Sequence, residues 1–342
     1  NTPHFEIYNY LENDTLVNQL GELSERWYRR HQLVLADTFE KRNPLIIYNN
    51  HADFQQTGVI SSLISVGTGG VTEGLKNRVV MPFLQTMNQT DHVLGHELVH
   101  AFQYHMLIHG DSTSLYNIRN LPLWMVEGMA EYLSIGRKDS HTAMWMRDAV
   151  ISEDIPSLKD LSRNPKYFPY RYGQAFWSFT TGIWGDTIVQ PLFIETAKSG
   201  YALAIKKMTG LDEESFSTLW KNTMIEAYKP FMSDTIATVG NKLFSSDNSG
   251  DMNLSPVYSN DGKYIAFLSE KDVLSIDLFL ANAKTGKIIR KLTKGTQKMH
   301  IDDYSYIETA GTFSPDNSRF AFVAFSKGKN IFLTLTEATC LT

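Results

Sequence analysis

The sequence predicts an α+β protein in two parts. The first is a small mixed sheet with a helical half, and the second is a partial all-β segment. Three observations carry this reading. Strand-like runs and one long helical pattern share residues 1–90. Helical periodicity with few strand signals fills residues 90–225. Short β-rich stretches that repeat one another follow residue 251. The boundaries are drawn at 1–230, a linker at 231–250, and 251–342. A chain of 342 residues suits two domains.

Each element has its own signal. Residues 5–10 read as a strand. Residues 15–36 carry Leu16, Val17, Leu20, Leu23, Trp27 and Tyr28 at helical spacing. Residues 44–48 and 78–83 read as further strands, with the Gly-rich turn at 67–70 between them. Residues 70–74 lie just before the helix that carries the main motif. Their glycines allow a second backbone to approach, so they form a candidate edge strand. Residues 244–252 are polar, with turn chemistry.

The C-terminal segment repeats itself. Tyr258-Ser259-Asn260-Asp261-Gly262-Lys263-Tyr264-Ile265-Ala266-Phe267 parallels Phe313-Ser314-Pro315-Asp316-Asn317-Ser318-Arg319-Phe320-Ala321-Phe322. Each copy has an aromatic residue, an Asp-containing turn and an alternating strand. A second strand follows, Leu278-Phe279-Leu280 and Ile331-Phe332-Leu333. This is the hairpin rhythm of propeller blades. The long spacing between copies predicts an insertion at 296–308. Two blades do not close a ring, and the end at 336–342 lacks the Thr285-Gly286-Lys287 turn of the first copy. Open strand edges are expected there, available to a protein partner or a second chain.

Composition excludes several classes. The chain is 42% apolar and 20% charged, enough to bury a core. A net charge of −5 predicts no nucleic-acid or anionic-membrane partner. No apolar run approaches the ~20 residues that span a bilayer. With Cys340 as the one cysteine, neither an intramolecular disulfide nor a cysteine metal site can form. The chain opens at Asn1 without Met, which reads as a processed or trimmed form.

The central motif is His96-Glu97-Leu98-Val99-His100. Residues four apart on a helix share a face, so both imidazoles reach one ion. Zn²⁺ favours such ligands, with three from the protein and an open position in a catalytic site. Glu97, beside the first ligand, can accept a proton from a metal-activated water. Downstream lies Leu123-Trp124-Met125-Val126-Glu127-Gly128-Met129-Ala130-Glu131-Tyr132. Either glutamate can bind a metal. Glu127 is preferred, because Gly128 lets two helices approach closely. His92, a turn before His96, reads as a surface or supporting residue.

These two segments together resemble the gluzincin zinc metallopeptidases. The second is similar to the Trp-x-x-Glu-Gly-x-Ala segment of the aminopeptidase N family. The resemblance implies a thermolysin-like domain over residues 1–230 and one zinc per chain, held by His96, His100 and Glu127. It casts Glu131 as the carboxylate that hydrogen-bonds His96. It also implies an oxyanion donor from the helical half, for which Tyr172 is chosen over Tyr170. The metzincin pattern fails, since Gln103 and Met106 stand where it needs Gly and His. The chain departs from the aminopeptidases too. Residues 101–126 form a longer connection, with 107–121 looping out, and Met125-Val126 replace a Leu-Asn pair. The repeats resemble TolB-type propeller blades, with Asn317 in place of a turn Gly.

The expected function is zinc-dependent hydrolysis of a peptide or protein substrate, with Glu97 as general base. Two alternatives stay open. One is a catalytically silent zinc-domain and propeller binding protein. The other is a hydrolase of non-peptide substrates on the same metal. Similar domain pairs imply an extracytoplasmic bacterial location: periplasmic, outer-membrane-associated or secreted.

Overall fold

Parallel pairing of three short strands organises the N-terminal unit. The computed structural model describes residues 1–61, 64, 67–84, 86–108, 117–232, 240–272, 276–293, 301, 303–304, 310–326 and 329–336. The chain divides into Asn1–Thr235 and Ile236–Thr342. In the first unit β1 (Phe5–Tyr8) lies parallel to β2 (Asn43–Tyr48), and β2 parallel to β4 (Arg78–Pro82). β3 (Val71–Glu73) runs antiparallel to β4 at the sheet edge, giving the order β1-β2-β4-β3. β1 stops at Tyr8, short of the predicted residue 10. Tyr8 and Tyr10 are both exposed, so no burial favours extending it. A short helix, α2 (His51–Gln55), was not expected; Asn50 caps it by accepting from Asp53 N.

α1 (Asp14–Leu35) begins at Asn13, whose side chain accepts from the amides of Thr15 and Leu16. It buries Leu20, Trp27, Tyr28, His31 and Leu35 on one stripe. That stripe packs on α3 (Met87–Ile108), which is buried over most of its turns. Gly95 makes the contact close. A Cβ there would lie 2.7 Å from Trp27 Cε2. His31 Nε2–H donates to the Gly95 carbonyl at 2.9 Å. α1 therefore fixes the backbone next to His96.

Burial pushes the His31 pKa down to about 4. The unfolded chain binds a proton near pH 6.5, so stability falls as pH drops from about 6.5 to 4. The full loss is on the order of 3 kcal/mol. Denaturation midpoints measured across this range for wild type and His31→Gln should diverge, with the variant losing that part of the slope. Parallel curves would show that His31 does not titrate on unfolding.

The helical half follows with α4 (Leu123–Ile135), α5 (Ser140–Ile151), α6 (Leu158–Arg163), α7 (Pro169–Trp184), α8 (Val189–Ser199), α9 (Tyr201–Thr209) and α10 (Glu213–Met232). α4 and α7 cross with almost no separation. A Cβ on Gly128 would lie 2.3 Å from Gly173 Cα, and one on Gly173 would lie 1.9 Å from the Trp124 carbonyl oxygen. Gly128 does permit a close approach, and its partner is α7. Trp177 Nε1 donates to the Met125 carbonyl at 2.9 Å and locks the crossing. Among the described residues, no helix is long and apolar enough to cross a membrane.

In the second unit, β5 (Asn253–Tyr258), β6 (Tyr264–Ser269), β7 (Asp277–Asn282) and β8 (Ile288–Lys291) form an antiparallel meander. β10 (Thr312–Phe313), β11 (Arg319–Ser326) and β12 (Lys329–Thr336) form a second sheet, with β9 (Asp303–Tyr304) also on β11. Among the described residues both sheets are open, and neither closes into a barrel or propeller. The repeat survives as hydrogen bonds. Ser259 Oγ donates to Asp261 at 2.7 Å, and Ser314 Oγ to Asp316 at 2.6 Å. Gly262 and Asn317 occupy the same turn position with φ of +67° and +60°. Asn is the residue that best tolerates this left-handed position after Gly. Phe320, Phe322 and Ala324 share a core with Ala266, Leu268, Leu278 and Leu280. Leu243 and Phe244 cover the other face of the first sheet, so part of the predicted linker packs as structure. The proposed insertion lies almost wholly outside the described residues, as do 233–239 of the linker, 109–116 of the long connection, and Cys340 with the chain end.

Candidate metal centre

α3 brings His96, Glu97 and His100 together on buried turns, and α4 faces them with Glu127 and Glu131. His96 Nε2 lies 3.2 Å from Glu127 Oε2, His100 Nε2 lies 3.3 Å from the same oxygen, and the two Nε2 atoms are 3.1 Å apart. A tetrahedral ion with bonds of ~2.0–2.1 Å separates its ligand atoms by about 3.3–3.4 Å. The triangle is within a few tenths of an ångström of that size.

The outer ring nitrogens explain why these atoms face inward. His96 Nδ1–H donates to Glu131 Oε1 at 2.9 Å. His100 Nδ1–H donates to Gln103 Oε1 at 2.8 Å, and Gln103 Nε2 donates to the Val126 carbonyl at 3.0 Å, which fixes the amide's orientation. A neutral imidazole so held turns its Nε2 lone pair toward Glu127. Two lone pairs 3.1 Å apart repel unless positive charge lies between them. The donor set of two imidazoles and one carboxylate is one that Zn²⁺ accepts.

Charge in the site points the same way. Burial would depress both histidine pKa values, but Glu127, and for His96 also Glu131, overcome it and raise them. Burial likewise opposes ionisation of the two glutamates. Their histidine partners nevertheless hold both well below the usual carboxylate range. The cluster is arranged to stabilise a cation at its centre.

Glu131 faces two imidazoles and a guanidinium. Besides His96, His92 Nε2 lies 3.2 Å from Oε1, and Arg171 Nη1 lies 3.1 Å from Oε2. Arg171 reaches on to Asp139 at 3.3 Å, which caps α5. His92, His96 and Glu131 could hold a metal by proximity alone, as could His96, His100 and Glu127. The first group already has the Arg171 guanidinium as its cation, and it uses the His96 nitrogen that bears the orienting proton. The second group is the better metal triad.

Glu97 is buried beside the cluster, 6% exposed. Thr72 of β3 offers its hydroxyl to Glu97 Oε2 at 2.7 Å and to the Glu97 carbonyl at 2.9 Å. Gly70 makes room, since a Cβ there would lie 2.7 Å from Glu97 Cγ. The edge strand predicted at 70–74 therefore lies directly against the candidate base.

The tyrosine assignment needs correction. Tyr172 is buried away from the cluster, edge-on to Trp145 and Tyr167 at 6.2 and 5.3 Å. Tyr170 stacks on His96 at 5.8 Å between ring centroids and hydrogen-bonds Glu127. Residues two apart on a helix point in nearly opposite directions, and the first turn of α7 directs Tyr170 inward. Burial and the Glu127 carboxylate raise the Tyr170 pKa, so it remains a protonated donor. If the site hydrolyses an amide as the sequence leads one to expect, Tyr170→Phe should lower kcat by about 10- to 10³-fold with metal content unchanged, as loss of an oxyanion donor does. Tyr172→Phe should leave kcat intact. The reverse result would restore Tyr172.

A cleft of about 410 Å³ opens over the cluster, with Gly70, Thr72, Tyr104 and Tyr170 among its lining residues. His96, Glu97, His100, Glu127 and Glu131 thus come together, and Tyr172 does not. Gln103, Thr72, Tyr104 and Arg171 were not foreseen at the site. The three- and four-residue spacings from His100 on α3 could have found Gln103 and Tyr104; long-range packing decides the others. No protein-family model and no curated protein matches this chain.

Proposed function

We propose that the chain is a zinc-dependent peptidase of the gluzincin type, with a thermolysin-like first unit and TolB-like repeats after it. The observation that carries this reading is the inward-facing triangle of His96, His100 and Glu127 with Glu97 buried beside it. A structural zinc site needs no base and keeps no open position. Glu97 in a cleft favours a catalytic role over a silent binding protein. The resemblance extends to an extracytoplasmic bacterial location.

His96, His100 and Glu127 would hold the zinc, which supplies Lewis-acid charge to polarise a carbonyl and to acidify water. Glu131, with His92 and Arg171 behind it, keeps the His96 proton on Nδ1. Gln103 does the same for His100. Glu97 takes the proton of the attacking water, with Thr72 holding the carboxylate in line, and hands it to the leaving nitrogen. Tyr170 donates to the oxygen that gains charge as the carbonyl carbon becomes tetrahedral. β3 has β4 on one side, and an extended peptide can add to its other edge beside Glu97.

A peptide-library cleavage assay with and without a chelator tests the reading. Cleavage is expected in the zinc-loaded protein, with loss on chelation and recovery on adding zinc. Zinc-loaded protein that cleaves no peptide but hydrolyses esters or other non-peptide bonds would favour the non-peptide alternative.

A further inference from the structure

We infer that the Tyr104 hydroxyl holds the main chain of the substrate about two or three residues from the cleaved bond, so the site favours extended peptides that reach past that bond over short ones. This rests on the peptidase reading of the same site. Tyr104 lines the cleft together with Glu97, His100, Glu127 and the Gly70–Thr72 stretch. It follows Glu97 by seven residues and His100 by four, so it continues the α3 face that carries the base and a proposed ligand. Seven residues make about 10 Å along the helix. Tyrosine side chains on a helix lean toward its N-terminus, which brings the hydroxyl back toward the cluster. An extended peptide advances about 3.3 Å per residue, so about two or three of its residues span the gap from Glu97 to the hydroxyl.

The strand side follows the same track. Gly69 meets Val93, Gly70 meets Glu97, and Gly74 meets Tyr104. β3 therefore runs alongside α3 in the same direction, from the turn before Glu97 to the turn after His100. A Cβ on Gly74 would overlap the Tyr104 ring, so the ring is seated against the chain at the end of β3. Among the described residues, the Tyr104 hydroxyl has no hydrogen-bond partner. It differs in this from Tyr170, which bonds Glu127. Burial, and after it the charges of Glu127 and Glu97, raise the Tyr104 pKa, so the hydroxyl keeps its proton and can donate. A partly buried donor left open in a cleft is satisfied by an acceptor on a ligand. A peptide added to β3 presents main-chain carbonyls along that line, and one of them is the acceptor.

The test uses the full zinc-loaded chain and internally quenched peptides that share one core and grow a residue at a time from either side of the cleaved bond. On one side, kcat/KM should step up by about 3- to 10-fold at about the second or third residue, as one hydrogen bond provides. Tyr104→Phe keeps the ring against Gly74, so zinc content and melting temperature should match wild type. It should erase the step by raising KM for long peptides, with kcat unchanged and short peptides cleaved as before. Tyr170→Phe, by contrast, should lower kcat at every length. No step in wild type, or a step that survives Tyr104→Phe, overturns the inference. So does an equal loss at every length, which would place the hydroxyl at the reacting carbonyl or in the packing. If no peptide is cleaved, the peptidase reading fails separately. Calorimetric binding of the same peptides to zinc-loaded Glu97→Gln, with and without Tyr104→Phe, then decides. Weaker binding of the long peptides alone when the hydroxyl is removed supports the inference, and equal or absent binding overturns it.

Discussion

Glu97→Gln is expected to keep one zinc per chain and lose peptide hydrolysis by about 10³-fold or more. A general base alone contributes about 10²–10⁴-fold, and in the proposed mechanism Glu97 also generates the nucleophile. The amide is nearly isosteric, and its oxygen still accepts from Thr72, whose hydroxyl lies 2.7 Å from the carboxylate. Gly70 leaves no room for a larger change, with its missing Cβ 2.7 Å from Glu97 Cγ. Packing and metal content should therefore stay as they are while the proton acceptor is lost. Single-turnover rates and metal analysis on the same preparation separate the two. Hydrolysis at the wild-type rate would remove Glu97 from the mechanism. Gly70→Ala makes a useful companion, since it displaces the carboxylate without neutralising it, and a smaller loss of activity is expected.

The parts of this site that sequence reveals are those fixed by helix geometry. His96 and His100 needed only the four-residue spacing. Glu127 and Glu131 share a face for the same reason, and the Gly128 neighbour together with the resemblance to gluzincins favoured Glu127. What sequence left ambiguous depends on how helices are rotated in the fold. Tyr170 and Tyr172 lie on one helix, and only the α4–α7 crossing at Gly128 and Gly173 decides which faces His96. Thr72 reaches Glu97 through strand pairing and packing between residues 25 apart in sequence, and no local pattern encodes that contact. The C-terminal repeat was legible because its turn is local. Ser, Asp and a left-handed Gly or Asn define it within four residues. The role of Leu243 and Phe244 was missed because Phe244 opens a stretch that is otherwise polar, and the sheet face they cover is formed later in the chain.

His96→Ala should lower bound zinc from one equivalent to near zero and abolish hydrolysis. In the proposed triad the side chain supplies one of three ligand atoms, and its other nitrogen lies 2.9 Å from Glu131. Its loss leaves a chelate of His100 and Glu127 alone. It also leaves two buried carboxylates with fewer partners, Glu131 with His92 and Arg171, and Glu127 with His100 and Tyr170. Uncompensated buried charge is costly, so a lower melting temperature should accompany the lost metal. Zinc itself separates the two effects. At about 1,000 times its dissociation constant, a ligand that binds only the folded state adds about 4 kcal/mol. Wild type should therefore gain stability on zinc addition and the variant should not. Glu131→Gln is the control between them. All three ligand atoms remain, so one zinc should still bind, with affinity about 10- to 100-fold weaker in a competition with a chromogenic chelator, as for other partners that orient a ligand histidine. Unchanged metal content in His96→Ala would remove the triad and turn attention to a site that does not use His96.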